Sequence, residues 1–221
     1  MREFQSIEVF QDLSITVDDR ATLRDALLDV LVAPWQRDVE LEDRLRRTSV
    51  RADEMLAFRR DGDTDVDAAT LTLWPDGISS YKVTNIVPRE KHQLSEHEYN
   101  AVLRDFVQKV VEPAHARSSM EVSLTSPTQG PLDWTSTAAA TALLLFSAAA
   151  NKSTGASHPQ DHQRWMAFLV EEHRTGTGKL TPSLLAQWLY KAEAWPEEVA
   201  HRLATDFESA LELLGYYDEH R

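Results

Sequence analysis

The hydrophobic period of this chain changes once, and that change limits its fold more than any other feature. Up to about residue 125, short runs alternate apolar and polar side chains, the period of a half-buried strand. Beyond about residue 135 no alternating run appears, and apolar residues recur at helical spacing. The stretch between, Ser126-Pro127-Thr128-Gln129-Gly130-Pro131-Leu132-Asp133-Trp134, is rich in turn formers. An α+β fold is expected: an N-terminal, mostly antiparallel sheet with flanking helices, and a C-terminal, all-helical, bundle-like region. The expected division is an α+β domain over 1–125, a hinge over 126–135 and a helical domain over 136–221, with one continuous fold as the alternative.

Residues 7–17 read as one strand. Asp18, Asp19 and Thr22 open a helix whose stripe is Leu23, Ala26, Leu27, Val30 and Leu31, and Pro34 closes it. Residues 36–52 are highly charged, with a short helix expected through Leu41 and Leu45. Met55 to Arg60 is a strand. Ala69 to Trp74 and Ile78 to Val87 flank Pro75-Asp76-Gly77, a hairpin turn: Pro presets φ, Asp bonds its own backbone, and Gly accepts φ > 0. On the second arm, alternation puts Tyr81, Val83 and Asn85 on one face. Ser95 and Glu98 form a capping box, with Leu94 and Tyr99 as its hydrophobic staple. The helix then runs through Val102, Leu103, Phe106 and Val110 to a stop at Pro113, and Met120, Val122 and Leu124 make a last strand.

In the C-terminal part, 136–150 is apolar nearly all round and reads as a central buried helix, with Gly155 in its exit. Pro159, Thr181-Pro182 and Pro196 open helices over 159–174, 182–193 and 196–214. Trp165, Trp188 and Trp195 fall at core positions on them.

The net charge is −13. Residues 1–125 carry 16 Lys+Arg against 24 Asp+Glu, and residues 156–221 carry 6 against 11. Neither half offers the basic face that direct nucleic-acid binding needs. The local run Arg44, Arg46, Arg47 and Arg51, with Arg59 and Arg60, reads as local ion pairs. A helix-turn-helix reading of the last helices puts Glu197 and Glu198 against phosphate, which is repulsive. The chain has no cysteine, which fits a reducing compartment and excludes thiolate metal sites. Its longest apolar run, Ala138 to Phe146, is short of the roughly 20 residues a bilayer span requires. A cytoplasmic protein with no cofactor, no resident metal and no membrane contact is expected.

The stretch 151–164, Asn-Lys-Ser-Thr-Gly-Ala-Ser-His-Pro-Gln-Asp-His-Gln-Arg, concentrates the polar chemistry. Lys152, Ser153, Thr154, Gly155 and Arg164 are the candidate anion-binding residues, helped by the N–H groups opening the next helix. The run Lys152-Ser153-Thr154-Gly155 shares letters with a phosphate-binding loop, but it follows a helix and lacks the upstream glycine. Lys152, His158, Asp161, His162 and His173 are the candidate catalytic set. One imidazole would act as base and one as acid in a metal-independent phosphodiester or nucleotide hydrolysis. His158, Asp161 and His162 are residue types that can ligate a metal, but Pro159 breaks the spacing of the two histidines. Asp61, Asp63, Asp65 and Asp67 fail the calcium-loop pattern, with Val66 and Thr72 where Gly and Glu belong. The leading expectation is therefore a non-catalytic interaction or regulatory protein of antitoxin, immunity or adaptor type, binding a basic protein partner. The hydrolase is the alternative.

Overall fold

A computed structural model describes residues 4–48 and 54–221. The chain is α+β, with an antiparallel sheet in its N-terminal half and helices in its C-terminal half. It divides into two compact units, residues 9–127 and residues 128–221 joined by the N-terminal segment that ends at Glu8. That segment carries strand β1 (Ile7–Glu8). The stretch read as one strand over 7–17 is thus two strands, β1 and β2 (Leu13–Val17), and they lie in different sheets.

In the unit of residues 9–127, β2 leads to α1 (Arg20–Asp29), β3 (Trp35–Arg37), α2 (Val39–Arg46), β4 (Leu56–Arg60), β5 (Ala69–Asp76) and β6 (Ser80–Pro88). The helix α3 (Glu96–Phe106), a π turn at Val107–Val111, α4 (Glu112–His115) and β7 (Met120–Leu124) follow. The six strands form one sheet in the order β3-β4-β5-β6-β2-β7, antiparallel throughout. One face packs Ile15, Phe58, Leu71 and Tyr81 with Leu27 of α1 and with Val102, Leu103 and Phe106 of α3. On the other face Met55 and Ala57 pack with Leu41 and Leu45 of α2 and with Trp74. The short helix expected through Leu41 and Leu45 is present. β3, hidden in the charged run before it, was not anticipated. Arg51 of the basic run lies outside the described residues.

Three local expectations change. Pro113 does not stop the third helix; it sits in the first turn of α4, after the π turn over Val107–Val111. The chain stays helical from Glu96 through His115, with Val111 at φ −71° and ψ −48°, and the change of hydrogen-bond register in the π turn lies directly ahead of the proline. The β5–β6 turn lies at Gly77-Ile78-Ser79, with Asp76 paired to Ser80 and Gly77 at φ 73°. Pro75 lies beyond the pairing of β5 with β4, which starts at Leu56 opposite Leu73, so no described strand takes a hydrogen bond from it on that side. The alternation of β6 breaks at Thr84. Leu73 pairs with Val83 but Thr72 pairs with Asn85, so Thr84 is the extra residue of a bulge. The phase flips there, burying Ile86 and exposing Asn85.

The second unit contains β1 and β8 (Thr128–Gln129), which pair antiparallel, then α5 (Pro131–Trp134) and α6 (Thr137–Ala149). A single 3-10 turn at Lys152–Thr154 leads to α7 (Pro159–Thr175), α8 (Pro182–Lys191) and α9 (Glu197–Glu219). The 126–135 stretch therefore holds β8 and α5. Phe146, Trp165, Phe168, Trp195 and Phe207 stack into an aromatic core, with neighbouring centroids 4.9–5.9 Å apart. Helix α6 is not buried all round: Ala138, Thr141, Leu145 and Ala148 form an exposed face. Most of these side chains are small, so the face shows solvent little apolar area.

Candidate functional site

Asn151 to Arg164 runs from the connection after α6 into the first turns of α7, and its side chains are largely turned onto one another. Asn151 Oδ1 accepts from the Ser153 N–H at 3.1 Å and from the Ser153 hydroxyl at 2.8 Å. The Thr154 hydroxyl donates to the Asn151 carbonyl at 3.2 Å. Gly155 closes the 3-10 turn at φ 64°, a left-handed conformation that costs glycine little. Its carbonyl accepts from Arg202 of α9 at 2.7 Å.

Lys152 reaches away from the loop. Its Nζ donates to the Glu193 carbonyl and lies 3.6 Å from Glu193 Oε2 and 5.7 Å from the Trp195 ring centroid. Glu193 is buried, and its Oε2 also accepts from the Ser147 hydroxyl at 2.9 Å. Ser147 Oγ in turn accepts from Trp195 Nε1 at 2.9 Å. Lys152 thus closes a buried polar network, as a buried carboxylate requires.

The opening of α7 is equally engaged. His158 is its N-cap, and Nδ1 accepts from the Gln160 N–H at 3.2 Å. Asp161 is buried and accepts from the Asn151 N–H at 3.0 Å and from Arg164 at 2.9 Å. His162 lies one residue further, exposed, in an open cleft of ≈ 470 Å3 between α7 and α9 with Arg202, Asp206 and Ser209. His158, Asp161 and Arg164 line a different, shallower hollow with Thr154. His173 stands eleven residues beyond His162, about 16 Å along the helix at 1.5 Å per residue. There its Nε2 meets Asp218 Oδ2 of α9 at 2.8 Å.

The structure therefore joins His158, Asp161 and Arg164, joins His162 to Gly155, and places Lys152 and His173 elsewhere. Sequence reasoning missed Asp206 and Ser209 as companions of His162. With Arg202 they stand at i, i+4 and i+7 on α9, a polar stripe visible in the sequence. Only the packing of α7 on α9 brings it to His162.

The α7–α9 side has a second character. The buried residues of α9 are Ala200, Leu203, Ala204 and Phe207, all in its first half, yet the helix runs on to Glu219. Leu213, Tyr216 and Tyr217 are 68%, 62% and 58% exposed, and Met166 and Val170 of α7 are also exposed. Asp206, Glu208, Glu212, Asp218 and Glu219 lie on the same helix, with no Lys or Arg between 203 and 219.

Among the described residues no group of three or more His, Asp or Glu is arranged to hold a metal ion, and no helix is long and apolar enough to cross a membrane. No family model, curated protein or solved structure matches the chain. Fold and surface together define an α+β protein with an acidic, apolar helix end.

Proposed function

We propose that this is a non-catalytic interaction or regulatory protein, of the antitoxin, immunity or adaptor kind, that binds a basic protein partner through the C-terminal half of α9 and the adjoining face of α7. The observation that carries the reading is the outer half of α9, where Leu213, Tyr216 and Tyr217 are exposed on a stretch that holds four carboxylates, Glu208, Glu212, Asp218 and Glu219. Exposed aromatic and aliphatic side chains grouped on one element mark interaction surfaces. A helix with a Leu-rich stripe flanked by Lys or Arg complements both properties, the apolar contact giving affinity and the charges giving orientation and rate. Supporting it, four of the five candidate catalytic side chains hold structural contacts, and the histidines do not converge.

The test is titration of the full chain with an 18-residue helical peptide of Leu and Lys, beside its Leu and Glu counterpart. The basic peptide is expected to bind, more weakly as salt rises, and to lose binding in the Leu213→Asp, Tyr217→Asp double variant. Equal binding of the acidic peptide, or unchanged binding by the double variant, refutes the reading. In cells, the parent chain at low salt should retain one specific basic protein that the double variant loses.

A further inference from the structure

The sheet of the 9–127 unit is open on the face that carries α2. Between α2 and strands β5 and β6 lies a groove of ≈ 590 Å3, within the size range of small-molecule sites. Trp74 lines it. The chain has six tryptophans; Trp35, Trp134, Trp165, Trp188 and Trp195 are buried, and Trp74 alone is not. An indole left partly open beside Leu41 and Leu45 gives the groove an aromatic and aliphatic wall.

The β6 bulge supplies the polar wall. Regular alternation shows the groove every second residue of β6. With Thr84 inserted, Thr84 and Asn85 both line it, opposite Thr72 of β5. The Thr72 and Thr84 hydroxyl oxygens stand 3.4 Å apart. Bulges commonly re-aim side chains beside functional sites, and here the re-aimed residues are an amide and a hydroxyl with donors and acceptors to offer.

Charge completes the description. Although the chain carries −13, the charged residues lining this groove are Arg44, Arg89 and Asp38. Asp38 is engaged as the N-cap of α2, accepting from the Leu41 N–H at 3.0 Å. Arg44 is exposed and has no ion pair among the described residues, and Arg89 has one exposed partner, Asp61 at 3.3 Å. Guanidinium groups pair with carboxylates, sulfonates and phosphates through planar, directed N–H bonds.

We propose that this groove binds a small organic anion with an aromatic body, the ring against Trp74 and the anionic group on Arg44 and Arg89. Thr72, Thr84 and Asn85 select among ring substituents. This site lies wholly within the sheet unit and is independent of partner binding by α9, so either reading stands or falls alone.

The probe is 1-anilinonaphthalene-8-sulfonate, an aromatic monoanion, with uncharged N-phenyl-1-naphthylamine as its control. Calorimetric titration of the full chain should give one saturable site for the anion, with quenching of tryptophan emission that is absent in Trp74→Phe. Arg44→Gln and Arg89→Gln should each weaken the anion about tenfold, the effect of one charged hydrogen bond, and leave the neutral dye unchanged. Far-UV circular dichroism of each variant shows whether the fold is kept. Equal affinity for the two dyes, or anion affinity unchanged in both arginine variants, overturns the proposal. So does loss of binding in Arg202→Gln instead, which puts the dye in the α7–α9 cleft.

Discussion

Arg60 on β4 donates from Nε to Asp105 on α3 at 2.8 Å, and the guanidinium is fully buried. Trp35 Nε1 donates to the same carboxylate oxygen at 2.8 Å, and Lys109 meets the other oxygen at 2.8 Å. Burial alone would raise the Asp105 carboxyl; the hydrogen bonds from Arg60, Lys109 and Trp35 outweigh it and hold it below its ordinary value. Arg60 also donates to the Asp61 and Val66 carbonyls, so one cation organises the acidic 61–67 loop and the sheet–helix layer together. Asp105→Ala removes the more buried of its two carboxylate partners and leaves the half-exposed Asp63, at 2.5 Å, as its remaining counter-ion. Urea unfolding should show a loss of about 3–5 kcal/mol. Replacing both residues, as Arg60→Met with Asp105→Leu, should cost less than the single change.

The capping box at the start of α3 titrates. Lys91 lies 2.6 Å from Glu98 Oε1, and the Ser95 N–H and hydroxyl donate to Oε2 at 2.7 and 2.8 Å. Together they pull Glu98 down to about 2, with Lys91 the largest influence. A folded pKa below the unfolded one contributes stability above the unfolded value of 4.5, and that stability is lost as pH falls toward 2. Glu98→Gln should therefore melt below the parent at pH 7, with the gap closing between pH 4.5 and 2. Ser95→Ala should cost about 1 kcal/mol at neutral pH.

Glu172 behaves in the opposite sense. It is buried in α7, where the Thr135 hydroxyl donates to Oε2, and burial raises its carboxyl despite that bond. A raised acid favours the folded state most where it is protonated, and the advantage is lost as pH climbs through the folded value. Glu172→Gln keeps an acceptor for Thr135 without the charge. Thermal melts should place it above the parent at pH 7, with the difference shrinking on acidification below the ordinary carboxylate range.

The His173–Asp218 contact is, among the described residues, the side-chain hydrogen bond that ties α7 to the last turns of α9. His173→Ala should speed amide hydrogen exchange over residues 214–219. As an exposed pair it should move Tm by no more than about 3 °C. A large drop in Tm would show that the outer half of α9 is integral to the fold, against its role as a free docking surface.

Much of the architecture was legible because local chemistry and global fold agree. The Ser95 box, the Thr181-Pro182 start and the change of period near residue 130 each express a local preference that tertiary packing keeps. What escaped was non-local. A bulge at Thr84 is defined by the neighbouring strand's register, so period-two counting put Asn85 inward when it faces solvent. Pro113 reads as a stop until the π turn ahead of it makes it the start of a new segment. In the 151–164 stretch the residue types were visible but not their partners: Glu193, which takes Lys152, stands 41 residues away. The partial exposure of Trp74 depends on how little of that sheet face α2 covers, which the local sequence does not carry.

Strand β1 has a consequence for synthesis. Ile7 pairs with Gln129, and the Gln5 carbonyl accepts from Trp188 Nε1 at 2.8 Å. Residues 4–8 thus belong to a unit completed only by residues 128–221, and in synthesis they must wait while the whole 9–127 unit is made. At ribosomal rates of about 5–20 residues per second, that wait is on the order of ten seconds. The sheet unit has all its strands by then, so vectorial synthesis completes it before β1 can pair with β8. A chain stalled so that residues up to 127 have left the ribosome should accordingly protect β2–β7 from protease while Phe4–Glu8 remains cleavable.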